Sequence, residues 1–130
     1  MEKKNNFQTV DAVAISISHL LHDIYSSFLA PILPLLIEKL SISYSSAGFL
    51  TVAQRLPSLL NPFVGLIADK ISIRYFVIFA PAITAISMSL LGIAPNYVVL
   101  VGLLLIMGIS ATLFHVPAPV MMKRVSGDRI

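Results

Sequence analysis

One stretch of the sequence, residues 10–37, reads VDAVAISISHLLHDIYSSFLAPILPLLI and decides the fold. It is longer than the roughly 20 apolar residues that cross the hydrocarbon core of a bilayer. Asp23 lies near its middle, where a charged side chain costs about 2.5–3.5 kcal/mol on insertion scales. Because a soluble protein would not place an acid in such a run, the pattern predicts a transmembrane helix that carries a functional charge.

Three further apolar runs follow at residues 45–68, 74–93 and 97–122, each bounded by charged residues, proline or glycine. Hydrophobic residues make up 57% of the chain and charged residues 12%, against about 25% charged residues in an average soluble domain. The linkers are short, so neighbouring helices must be antiparallel. We therefore predict an all-α membrane protein with four transmembrane helices in one domain over residues 1–130.

The basic residues predict the orientation, because cytoplasmic loops of membrane proteins carry an excess of lysine and arginine. Only Lys39 falls on the opposite side of the membrane, and Arg55 falls within it. Both termini are therefore expected in the cytoplasm, with the protein in the cytoplasmic membrane. The basic residues on the cytoplasmic side are Lys3, Lys4, Lys70, Arg74, Lys123, Arg124 and Arg129.

Polar and small residues recur every three to four positions along the first, second and fourth runs. In lipid, such a stripe must face protein or a water-filled cavity. We therefore expect these three helices to surround a polar space. The third run has only scattered hydroxyl residues and is expected to lie at the lipid-facing periphery.

Four side chains are candidates for proton coupling or substrate contact. Asp23 and Arg55 fall at mid-bilayer depth, and His19 precedes Asp23 by one helical turn. His115 comes out at a similar depth to His19 on the antiparallel fourth helix. Histidine titrates near neutral pH, and a guanidinium binds carboxylate or phosphate groups. The alternatives are an Asp23–Arg55 ion pair and a helix-to-helix hydrogen bond of the histidines; His22 lies off the stripe and is a weaker candidate.

Composition and motifs disfavour several other classes of function. The chain has no cysteine, which excludes disulfides and thiolate metal sites. No nucleophile–base pair appears, so we expect neither an enzyme nor a cofactor. Three histidines and one aspartate could be drawn as metal ligands, but no ligand spacing supports a metal site. The net charge of +3 lies mostly in short loops and does not indicate nucleic-acid binding.

The loop after the second run, residues 65–74, reads GLIADKISIR. By physical reasoning alone it is a charged turn. It resembles the cytoplasmic signature of the major facilitator superfamily, although Ser72 stands where that family usually has glycine and Ile73 where it often has a basic residue. The matching residues are Gly65, Asp69, Lys70 and Arg74.

Other segments resemble one branch of that superfamily, the fosmidomycin resistance protein-like transporters. Residues 18–23 are similar to the first helix of the branch, with His22 in place of its usual asparagine, and residues 54–69 are similar to the second helix. Residues 114–117, FHVP, resemble its Phe-His-Pro motif with one residue inserted before the proline. Residues 126–129 resemble the loop that comes next.

The resemblance implies a twelve-helix fold in two halves, with the solute held between them. The four helices would then be an N-terminal fragment of a proton-coupled antiporter that exports drugs or small metabolites by alternating access. The implied partners are the bilayer, a small solute, protons, and the rest of the transporter or a homo-oligomer. The alternative is a complete four-helix protein, acting as an oligomeric transporter of the small multidrug resistance type or as a non-transporting subunit.

Overall fold

The computed structural model describes residues 8–68 and 74–127, and all regular elements in these two ranges are helical. Short 3₁₀ segments occupy Leu56–Leu60 and Leu91–Ile93. The α-helices, in chain order, are α1 (Thr9–Ser27), α2 (Leu29–Leu40), α3 (Tyr44–Arg55), α4 (Asn61–Ala68), α5 (Arg74–Leu90), α6 (Tyr97–His115) and α7 (Pro117–Ser126).

These elements group into four spans, which confirms the predicted all-α fold with four helices. Span 1 consists of α1 and α2, and span 2 of α3, α4 and the 3₁₀ segment between them. Span 3 consists of α5 and the 3₁₀ segment after it, and span 4 of α6 and α7. Spans 1 and 4 continue to Leu40 and Ser126, beyond the predicted residues 37 and 122, because charged residues at a membrane surface do not end a helix.

Spans 1, 3 and 4 each have the length and apolarity needed to cross a membrane. Span 2 is less apolar than the other three, because Gln54, Arg55 and Asn61 lie within it. Large hydrophobic side chains such as Ile86 and Leu66 are exposed on the outer faces of the spans, where lipid would cover them. The chain is a multi-pass membrane protein.

Prolines set the breaks within the spans. The ring of Pro31 leaves the Ser27 carbonyl without its usual intrahelical donor, and α1 ends at Ser27. Pro57 lies at the start of the 3₁₀ segment in span 2, and Pro117 is the first residue of α7.

Spans 3 and 4 form the most extensive helix–helix contact, and small residues lie at it. Thr84 donates a hydrogen bond to the Ser110 hydroxyl at 3.0 Å, and Ser110 donates to the Ala80 carbonyl at 2.7 Å. Hydrogen bonds of this kind join membrane helices that gain little from the hydrophobic effect. Span 3 is therefore lipid-facing on one side only: Thr84 and Ser87 are buried, whereas Ser89 is exposed.

Lys39 ties span 1 to the end of span 3. Its ammonium group donates hydrogen bonds to the carbonyls of Gly92 at 2.8 Å and Ala94 at 3.4 Å. The last carbonyls of a helix carry partial negative charge, which a cation stabilises. At the opposite end of the bundle, the backbone amide of Gln8 donates a hydrogen bond to the Val125 carbonyl at 2.8 Å.

Gly108 allows α6 to approach span 2 closely. A Cβ atom at this position would run into the Gln54 carbonyl oxygen and would lie 2.9 Å from Cγ of Pro57. We expect Gly108→Ala to lower the free energy of unfolding by about 1–3 kcal/mol, the usual cost of overpacking. Thermal unfolding of the detergent-solubilised protein measures this loss.

Gly102→Ala is the matched control, because nothing lies within 4 Å of a Cβ at Gly102 on the same helix. It should leave the melting temperature unchanged or raise it slightly, since alanine favours a helix over glycine. Equal melting temperatures for the Gly108 and Gly102 variants would contradict the close approach.

Candidate functional site

The centre of the site is a carboxylate held between two imidazoles. His19 and Asp23 lie one turn apart on α1, so they share a face of the helix. Nδ1 of His19 lies 3.1 Å from Oδ2 of Asp23. Nε2 of His115, at the end of α6, lies 3.7 Å from Oδ1 of the same carboxylate. The structure thus brings three of the four predicted candidates together and joins span 1 to span 4 through Asp23.

Arg55 belongs to a different part of the site. Among residues 8–68 and 74–127 the basic side chains that contact the Asp23 carboxylate are His19 and His115, so the structure does not contain the alternative Asp23–Arg55 ion pair. The physical reason lies in how the helices pack. Span 2 contacts span 1 through the amide of Gln54, which donates to the Ser26 carbonyl at 2.8 Å, almost one turn beyond Asp23.

His22 is the residue that sequence reasoning underrated. It is fully buried, whereas His19 and Asp23 on the neighbouring face are exposed. Its ring stacks on Phe114 with centroids 4.8 Å apart, and it meets His115 edge-on at 4.9 Å. Neither of its ring nitrogens has a hydrogen-bond partner in the described structure, which costs free energy in a buried group. The signal available in the sequence was its spacing of three residues from His19.

A cavity of about 720 Å³ lies between spans 1, 2 and 4, where the polar stripes of the sequence face one another. Span 3 contributes no lining residue among those described. Small residues of α6, Gly108 and Ala111, form part of its wall and leave the space open. The polar lining includes Ser26, Thr51, Arg55, Ser58, Asn61 and His115.

Arg55 is the cationic side chain that lines this cavity among the described residues. It ends α3, where the chain passes into the 3₁₀ segment, and its side chain is exposed. Within the described ranges no acidic side chain forms an ion pair with it. A guanidinium in this setting offers its hydrogen-bond donors to an anionic group that enters the cavity.

His115 belongs to both parts of the site. It lines the cavity that contains Arg55, and its Nε2 atom faces the Asp23 carboxylate. Its ring also lies 5.2 Å from that of His19, measured between centroids. A molecule in the cavity can therefore act on the Asp23 cluster through a single side chain.

The loop signature is described only at its two ends. Gly65 is half-buried, and a Cβ there would lie 3.9 Å from Val116 of span 4, an ordinary contact. Arg74 is exposed at the first residue of α5. Asp69 and Lys70, the other two residues of the predicted signature, lie outside the described residues.

The ligand atoms of His19, Asp23 and His115 all lie within 4.8 Å of one another. Spacing along the chain did not indicate this grouping, because His115 comes from a different span and only the other two residues are neighbours in sequence. The arrangement is one that a metal ion or a shared proton can occupy.

Comparisons with known proteins agree with this architecture. Residues 15–129 match the Major Facilitator Superfamily. The chain is 30% identical over 117 residues to the Fosmidomycin resistance protein of Escherichia coli (strain K12), an alignment that covers 89% of the chain and 29% of that protein. The chain therefore spans less than a third of the length of this relative. No solved structure matches the chain significantly. The chain belongs to the major facilitator superfamily, in its fosmidomycin resistance-like branch.

Proposed function

We propose that the protein moves a small molecule across the cytoplasmic membrane, as part of a longer proton-coupled transporter that exports drugs or metabolites by alternating access. Membership of the superfamily supports transport rather than enzyme chemistry. The observation that carries the proposal is that a titratable cluster, Asp23 with His19 and His115, adjoins a polar cavity between spans.

Asp23 is the proposed proton site. Its carboxylate contacts an imidazole from span 1 and another from span 4, so its charge contributes to the contact between these spans. Protonation removes that charge and weakens both interactions. Proton binding then favours a different arrangement of span 1 against span 4, which is what alternating access requires. His19 and His115 can accept or pass on the proton, since each imidazole places a ring nitrogen beside the carboxylate.

Arg55 is the proposed anchor for the solute. The cavity volume of about 720 Å³ falls within the range of about 300–1,000 Å³ for small-molecule sites. A guanidinium suits bidentate binding of a carboxylate or phosphate-type group, and Ser58 and Asn61 supply further hydrogen-bonding groups in the lining. Because His115 lines the same cavity, solute binding and proton binding share one side chain.

The alternative interpretation is a complete four-helix protein that works as an oligomer or as a non-transporting subunit. The match to the major facilitator superfamily over residues 15–129 favours the first interpretation. No observation on the described residues favours the second. The oligomeric state and any further partner subunit do not enter the proposal.

Asp23→Asn is expected to abolish proton-driven export, because an amide cannot exchange a proton near neutral pH. The variant is produced from the complete native reading frame in a drug-sensitive bacterial host. Fosmidomycin, the compound after which the relative is named, is the first to test for resistance. Efflux driven by an imposed pH gradient in membrane vesicles gives the direct readout.

Asp11→Asn is the matched control, since Asp11 is an exposed acid in the first turn of the same helix. It should keep resistance and pH-driven efflux at the level of the parent. Full activity of the Asp23 variant at all pH values would contradict the assignment of Asp23 as the proton site.

Single cysteines test whether water fills the cavity, and residues 1–130 contain no other cysteine. Ser58→Cys and Ala111→Cys should react rapidly with a charged, water-soluble thiol reagent, because both positions line the cavity. Ile86→Cys should react slowly, because Ile86 lies on the exposed outer face of span 3, where lipid covers it. Comparable labelling of all three positions would contradict the assignment of the cavity.

The proposed orientation has both termini in the cytoplasm. The hydrogen bond of Gln8 to Val125 supports it by bringing the start of span 1 and the end of span 4 to the same side. A protease-sensitive tag at either terminus should resist cleavage in intact cells and be cleaved after lysis. Cleavage of either tag in intact cells would reverse the topology.

A further inference from the structure

The histidines and the aspartate at the centre of the site have the arrangement of metal ligands. Nδ1 of His19 lies 3.1 Å from Oδ2 of Asp23, and Nε2 of His115 lies 3.7 Å from Oδ1. The three ligand atoms all fall within 4.8 Å of one another. The two helices α1 and α6 supply them, so the grouping depends on the packing of span 1 against span 4.

These separations fit a tetrahedral ion. Zinc binds imidazole nitrogen at about 2.0–2.1 Å and carboxylate oxygen at about 2.0–2.2 Å. Tetrahedral geometry with such bonds places neighbouring ligand atoms roughly 3.3–3.5 Å apart. The separations of 3.1 Å and 3.7 Å involve the two different carboxylate oxygens of Asp23, and both are close to this value. All three ligand atoms lie within 4.8 Å of one another, so any wider pair must approach to this distance when an ion binds.

The donor set selects the class of ion. Two imidazole nitrogens and one carboxylate oxygen suit Zn²⁺, Cu²⁺ and Ni²⁺, whereas Mg²⁺ and Ca²⁺ prefer oxygen ligands. The carboxylate charge of Asp23 offsets half the charge of a divalent ion, which lowers the cost of placing it at bilayer depth. Three protein ligands leave a fourth position for water or for an anionic group of a molecule in the cavity.

An ion can reach these atoms without unfolding the bundle. The side chains of His19, Asp23 and His115 are 47%, 49% and 41% exposed, and His115 lines the polar cavity. Behind the cluster, His22 and Phe114 are fully buried and pack against the ring of His115. The cluster therefore has one open side and one packed side, which restrains the ring of His115.

We propose that His19, Asp23 and His115 form a binding site for one divalent transition-metal ion of the zinc class, which bridges span 1 and span 4. The ion and the proposed proton use the same carboxylate and imidazoles and therefore compete for them, but the ion can bind whether or not the protein transports a solute. Its formation requires only that the two spans pack as described.

Equilibrium binding of Zn²⁺ to the full chain tests the proposal. The protein is purified in detergent with an affinity tag that contains no histidine, and Zn²⁺ is titrated by calorimetry. All three histidines of residues 1–130 lie in or beside the cluster, so no distant histidine of this stretch contributes. We expect one ion per chain, and a melting temperature that rises with added Zn²⁺ because the ion binds only the folded state.

His115→Gln and Asp23→Asn should each weaken Zn²⁺ binding by more than about tenfold, since even residues that only support metal ligands contribute that much. Glu38→Gln is the matched control, because it removes an exposed carboxylate on α2 outside the cluster and should leave the affinity unchanged. The helical content and melting temperature of each variant, measured without metal, establish that it is folded.

A second readout identifies the ligands directly. Co²⁺ bound in place of Zn²⁺ should show the strong visible absorption of a four-coordinate complex, and His19→Gln should abolish that absorption. Absence of Zn²⁺ binding by the folded parent chain would overturn the site. So would binding of Zn²⁺ with equal affinity to the parent chain and to the folded His115→Gln variant.

Discussion

The Asp23 carboxylate, held between His19 and His115, is the interaction on which the rest of the site depends. A charged group at bilayer depth is expensive unless it is paired and faces the interior of the bundle or a polar space. Here one acid from span 1 meets imidazoles from its own helix and from span 4. The same packing of span 1 against span 4 buries His22 against Phe114.

The break in span 2 lies beside the cavity that adjoins this cluster. Pro57 starts a 3₁₀ segment directly after Arg55, and Gly108 lets α6 approach that segment so closely that a methyl group would not fit. The approach brings the Arg55 and His115 side chains into one lining. Removal of the proline, together with a larger residue at position 108, would separate the two parts of the site.

The sequence was sufficient to predict four spans and to name His19, Asp23 and His115 as separate candidates, because the length of an apolar run, the spacing of His19 and Asp23, and the depth of a residue along its helix are all local quantities. It was insufficient for the rotation of each helix about its axis. That rotation depends on packing between spans, so the burial of His22 and the separation of Arg55 from Asp23 could not be predicted. The grouping of three metal-ligating atoms depends on the same rotation.

A double-mutant cycle between Asp23 and His115 tests the central interaction most directly. The free energy of unfolding is measured in mixed micelles for the parent chain, Asp23→Asn, His115→Gln and the double variant. A direct contact between the two residues predicts an interaction energy above about 0.5 kcal/mol, as found for residues in one network. Additivity within about 0.5 kcal/mol, the behaviour of independent sites, would show that the carboxylate does not join span 1 to span 4.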